Sequence, residues 1–178
     1  DPVTVYFTET TSIPIPKWAN NIDAIPLGAG GGAMSGGTLG FYGEPGHAGK
    51  FAVATWVRGV DFDDSVTTVT FSCGAGGTGG HALGSGTDGG GSTFGITGHT
   101  VTGAGGERGN QLLIGLASHY PGEGAGTFPF DGEDYVGGGD QSAYGAKGVS
   151  PGGGGCGGNW VSFQAGGAGA PGGGWLRF

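Results

Sequence analysis

The chain is 178 residues long, enough for one domain or two closely joined ones, and 49 of those residues are glycine. Its net charge is -8, and the six Lys and Arg are set singly along it, so nothing resembles a basic patch for nucleic acid. No apolar run approaches the roughly 18 residues of a membrane-spanning helix, and no signal-peptide pattern opens the sequence.

The first 27 residues contain no glycine. Val3 to Thr8 is rich in β-branched and aromatic residues and predicts a strand. Ile13-Pro14-Ile15-Pro16 must be extended, because proline fixes its own φ and restricts the residue before it. Trp18 and then Ile22 to Leu27 predict a second strand, placed at a sheet edge by Pro26. Asp1-Pro2 is no translation start, so a methionine or a longer segment is expected upstream.

Gly28 to Gly49 is the first glycine-rich segment. Lys50 to Val57 follows as a strong strand, with Phe51, Val53, Thr55 and Val57 on one face and Ala52, Ala54 and Trp56 on the other. Both faces are largely apolar, which predicts a central strand of a sandwich. Asp61 to Ser65 reads as a turn and Val66 to Ser72 as the next strand, the two strands forming a long-looped hairpin. Beyond Cys73 come glycine blocks at 74–91, 103–109, 152–158 and 166–174, separated by short strand-like runs at 94–97, 111–114, 160–163 and 175–178. From Gly28 onward the longest glycine-free stretch is Val60 to Cys73, and glycine costs a helix about 1 kcal/mol per residue. The expected class is all-β without significant helix: sandwich strands in 1–73, and a glycine-rich part in 74–178 that closes the same or an adjoining domain.

Glycine and proline together make up about a third of the chain, a share typical of disorder. Ten Phe, five Tyr and four Trp with only 11% charged residues argue instead for collapse, and collagen's strict glycine period is absent. Fixing glycine costs about 0.5–1 kcal/mol more than fixing alanine, on the order of tens of kcal/mol over all of them, against a typical net stability of about 5–15 kcal/mol. Backbone hydrogen bonds, close main-chain packing and burial against partner chains must offset this, so assembly is expected. The blocks have two readings: polyproline-II-like chains bonded laterally to one another, or long surface loops.

No constellation of side chains carries chemistry. Gly28-Ala29-Gly30-Gly31-Gly32 is not followed by Gly-Lys-Ser/Thr or by a helix, so no phosphate loop is expected and no cofactor is called for. Asp61, Asp63 and Asp64, and Asp131, Glu133 and Asp134, read as solvated turns rather than calcium or acid–base sites. His47, His81, His99 and His119 are scattered, and Ser118, His119 and Asp140 lack a nucleophile elbow. Cys73 and Cys156 are too few for a disulfide framework; free thiols are the favoured reading, a single bridge the alternative. Tyr120, Phe128, Phe130, Tyr135 and Tyr144, interleaved with Pro121 and Pro129, form the best candidate contact surface for sugars or proteins, or else a plug for a loop-rich core. Trp18, Trp56, Trp160, Trp175 and Phe178 are assigned to packing.

The order of segments adds a resemblance. Ile15 to Asp23 runs into Leu27-Gly28-Ala29-Gly30-Gly31-Gly32; Trp56 to Asp61 follows; Pro151 to Gly158 and the tail from Gln164 to Phe178 close the chain. This resembles the glycine-rich minor tail proteins of long-tailed phages that infect mycobacteria and related actinobacteria. The resemblance implies a virion component near the tail tip, assembled in the host cytoplasm, trimeric, and engaged in tip architecture or host-surface attachment. Its implied partners are copies of itself, other tail proteins and a host cell-wall glycan or receptor, with no membrane insertion and no catalytic residues. A capsid decoration or head-fibre protein, or a glycine-rich bacterial surface protein, is the alternative.

Overall fold

A computed structural model describes residues 2–38, 40–114, 120–161 and 163–178, and among these the protein is all-β with no helix. Thr4–Phe7 (β1), Gly173–Arg177 (β12), Asn21–Leu27 (β3) and Ala54–Val57 (β5) form one antiparallel sheet in the order β1-β12-β3-β5. Thr11–Pro14 (β2), Thr68–Ser72 (β6), Ser92–Ile96 (β7) and His99–Gly103 (β8) form a second, β2-β6-β7-β8. Alternate residues point inward and meet in one core: Ile22, Ala24, Trp56 and Leu176 from the first sheet against Ile13, Val69, Phe71, Phe94 and Ile96 from the second. The Phe71 and Phe94 rings stack at 4.4 Å, and Gly174 opposite them leaves no room for a β-carbon. Strands from both sides of residue 73 thus share this core.

The pairing corrects several expectations. β3 is interior, between β12 and β5, despite Pro26. Its ladder with β5 ends at Ala24–Ala54, so no β5 partner lies where the proline lacks its N–H, and the Pro26 carbonyl still accepts from Ala52. β5 begins only at Ala54 and lies at the sheet edge rather than its centre; Phe51 makes a single bridge to Leu27. β5 and β6 are no hairpin, since the chain crosses between sheets there. Trp160, Val161 and Phe163 lie in turns, not a strand. Two hairpins escaped the sequence reading: β7–β8 around Thr97-Gly98, and Thr127–Phe130 (β10) with Glu133–Val136 (β11) around Asp131-Gly132. Phe41–Gly43 (β4) also pairs with Leu112–Ile114 (β9).

The glycine blocks are not surface loops. Residues 28–37 are buried throughout and form the axis of a bundle. Along this axis Ala29, Gly32 and Ser35 donate to carbonyls of 84–90; Gly30, Ala33 and Gly36 donate to 164–170; Gly31 and Met34 donate to 44–47, all at 2.9–3.2 Å. In return Gly77 and Gly80 donate to Gly30 and Ala33, Gly106 and Gly109 to Ala29 and Gly32, and Gly155 and Gly158 to Gly31 and Met34. The repeat of three is that of a polyproline-II helix, whose successive residues point 120° apart. Each direction meets one neighbour as donor and another as acceptor, so six chains surround the axis. These six also bond to one another in a closed ring: 84–90, 74–80, 164–170, 152–158, 43–50, 104–111 and back to 84–90. Chain direction alternates around the ring.

Six of the seven bundle chains continue sandwich strands directly: β3 into 28–37, 43–50 into β5, β6 into 74–80, 84–90 into β7, β8 into 104–110 and 164–172 into β12. Hence the bundle grows from one end of the sandwich. At about 3.1 Å per residue, nine steps from Gly28 to Gly37 extend it by about 28 Å.

Candidate functional site

Because bundle chains alternate in direction, each must reverse at the far pole, away from the sandwich. The connections at 37–41, 80–84 and 158–164 and the β4–β9 pair are gathered there. Between two glycine blocks these turns leave room for large side chains. Leu83, Leu112, Trp160, Val161 and Phe163 are all exposed there, from 36% at Leu112 to 55% at Val161. A contiguous exposed apolar patch is a common feature of contact surfaces, which makes this pole the candidate site.

Backbone conformation sets the same place apart. Ala82, Leu83 and Phe163 have φ of +48°, +67° and +51°. For residues with a β-carbon this region costs on the order of 1–2 kcal/mol each, and such strain persists where surrounding structure dictates it. Beside the turns, Tyr42 and Tyr144 stack at 5.5 Å and 18°, and Trp160 Nε1 donates to the Tyr42 hydroxyl at 3.2 Å. Burial, and then the neighbouring Tyr42, hold the Tyr144 phenol above its usual pKa. Gln164 Nε2 donates to the Tyr144 carbonyl at 3.0 Å and ties this aromatic cluster to the axis-facing chain.

The five aromatic residues singled out from sequence fall in separate places. Tyr144 belongs to the far-pole cluster. Tyr120 is exposed on the bundle flank, where its carbonyl accepts from Cys156 Sγ at 3.8 Å. Phe128 stacks on Phe51 at 5.3 Å and borders a flank cleft. Phe130 is half-buried beside the Asp131-Gly132 turn. Tyr135 is buried, packed edge-on against Trp175 at 5.7 Å, with its hydroxyl donating to Glu133. Burial, then the Glu133 charge, raise its pKa. Of the packing set, Trp56 is in the core, Trp175 lies between the Tyr6 and Phe51 rings, and Phe178 packs against the core; Trp18 and Trp160 are exposed. Tyr42, Leu83, Leu112, Val161 and Phe163 were missed, although each stands at a break between glycine blocks.

The acidic groups have structural partners. Asp61 accepts from the Val57 N–H, Asp63 from Ser65, and Asp64 pairs with Arg58 at 2.6 Å. Asp131 pairs with Arg177, and Glu133 accepts from Thr4. Among the described residues no group of three or more His, Cys, Asp and Glu is gathered as for a metal ion. Ser118 and His119 lie outside the described residues.

Comparison with known proteins gives this architecture its place: residues 6–178 match the family described as a glycine-rich domain. The chain belongs to that family. Its relatives include the Gene 32 protein of Mycobacterium phage D29, 36% identical over 147 residues, or 79% of this glycine-rich domain chain. The chain spans 65% of that protein's length. The similarity points to a phage protein.

Proposed function

We propose that this glycine-rich domain is a non-enzymatic structural component of the phage virion, placed at the tail tip, where its far pole touches the host surface. The observation that carries the reading is the separation of roles along the long axis. A laterally hydrogen-bonded bundle holds a set of strained, apolar turns about 28 Å from the sandwich. A surface preorganised in this way binds without the entropy loss of ordering flexible loops. The opposite end carries Trp18 and Val60, 60% and 81% exposed on adjoining turns that Arg58 links through the Pro16 and Ala19 carbonyls. That end is the attachment side in this proposal, joining copies of the chain, as a trimer, and other tail proteins.

The test combines location with loss of contact. Gold-labelled antibody against the chain is expected at the tail tip of intact particles, and label on the head would favour a capsid decoration role. Purified chain is expected to bind host cells, with Trp160→Ala and Phe163→Ala each lowering binding about tenfold or more, as at interface hot spots. Unchanged binding by both would remove the far pole from the contact.

A further inference from the structure

The flank of the bundle carries a second site, separate from the far pole. A cleft of about 690 Å³ lies between the chains at 47–51, 104–107 and 123–125, with Phe128 of β10 at its rim. Its size is that of a small-ligand pocket. Two of its walls are fixed to each other by the bundle's own hydrogen bonds, His47 N–H to the Glu107 carbonyl at 2.9 Å and Lys50 N–H to the Ala104 carbonyl at 2.8 Å. The third is fixed by the Glu123 carboxylate, whose Oε2 accepts from the Ala48 N–H at 3.1 Å and stands 3.1 Å from His47 Nδ1. Among the described residues its Oε1 has no hydrogen-bond partner.

The apolar side of the cleft is equally defined. Tyr6, Trp175, Phe51 and Phe128 form one continuous stack, with centroids 4.7, 5.8 and 5.3 Å apart and adjoining rings within 29° of parallel. Phe51 and Phe128, its last two rings, border the cleft. Glu107, Glu123 and Lys50 line the same cleft.

We infer that this cleft binds a neutral saccharide. A sugar ring has an apolar C–H face suited to an aromatic ring and a rim of hydroxyls. Ionised carboxylates only accept hydrogen bonds, so they select a ligand that brings donors, which hydroxyls do. Lys50 complements them by donating to the ligand's hydroxyl or ring oxygens. Two carboxylates in a chain of net charge -8 oppose an anionic glycan.

The site is tested on the purified chain by following its backbone amides by NMR while neutral oligosaccharides of glucose, galactose and arabinose are added to millimolar concentration. At least one is expected to give saturable shifts at Gly49, Gly105 and Gly124. Glu107→Ala, at an exposed side chain with no hydrogen bond or ion pair among the described residues, is expected to weaken binding about tenfold with the remaining spectrum unchanged. Phe128→Ala is expected to abolish it, and Phe163→Ala to leave it intact, which separates this site from the far pole. The assignment is overturned if no neutral sugar shifts these amides, if the shifts survive Glu107→Ala and Glu123→Gln undiminished, or if a uronic-acid oligosaccharide binds more tightly than every neutral one.

Discussion

Gly32 shows what a single residue contributes to this fold. A β-carbon there would fall on the Thr78 carbonyl oxygen, and one at Gly30 on that of Gly153. Both obstacles are main chain, held by lateral hydrogen bonds, and cannot swing aside like a side chain. Gly139 has nothing within 4 Å of where its β-carbon would be. We expect Gly32→Ala to abolish folding or to cost more than about 4 kcal/mol, beyond the ordinary range for a point substitution. Gly139→Ala should be neutral, or raise stability by up to about 1 kcal/mol by restricting the unfolded chain. Thermal unfolding of the two variants decides the matter, and equal midpoints would refute a main-chain cause. Composition alone does not distinguish these two glycines. Only the identity of the chain that packs alongside does so, and that neighbour lies dozens of residues away.

At the level of elements, the β10–β11 hairpin is the clearest case of a signal present and passed over. Asp131 and Gly132 have φ of +46° and +79°, the paired positive values of a two-residue turn that Asp-Gly favours. Phe128, Phe130 and Tyr135 alternate with Pro129, Asp134 and Val136 on either side of it. Attention to these rings as a contact surface hid their role as cross-strand pairs. The hairpin lies on the outer face of the β1-β12-β3-β5 sheet through Tyr135 on Trp175 and Phe128 on Phe51. Gly132→Val forces a β-branched residue into left-handed backbone and is expected to destabilise by about 1–2 kcal/mol. Trp175 fluorescence should report the loosened hairpin before global unfolding; a single transition unchanged from the parent protein would contradict this. β6 was readable because Val69 and Phe71 alternate with exposed threonines and Ser72. β5 was misplaced because apolar residues on both faces, which suggest a central strand, arise here from the Phe51 stack on one side and the core around Trp56 on the other.

For the molecule as a whole, the bundle replaces side-chain burial with main-chain saturation. The axis amides of Ala29 to Gly36 donate to three chains, and their carbonyls from Ala29 to Met34 accept from three more. Opening any one of them requires parting the ring. These amides should therefore exchange with solvent only through global unfolding, as slowly as those of Phe71 and Leu176 in the sandwich core. Exchange within minutes at neutral pH, with the core amides still protected, would show that the glycine chains are loosely held. Sequence reasoning reached the all-β class and the possibility of such packing, because glycine was the residue in excess and helix had no room. It could not give the ring order, since every block resembles the others and the pairing is fixed by which sandwich strand each one continues. The repeat of three has an evolutionary corollary. Adding or deleting one residue within a bundle chain would rotate all that follows by 120° and hand each hydrogen bond to the wrong neighbour. Length differences among members of this family should therefore collect in the reversing turns at the far pole, or occur inside the glycine chains in whole triplets.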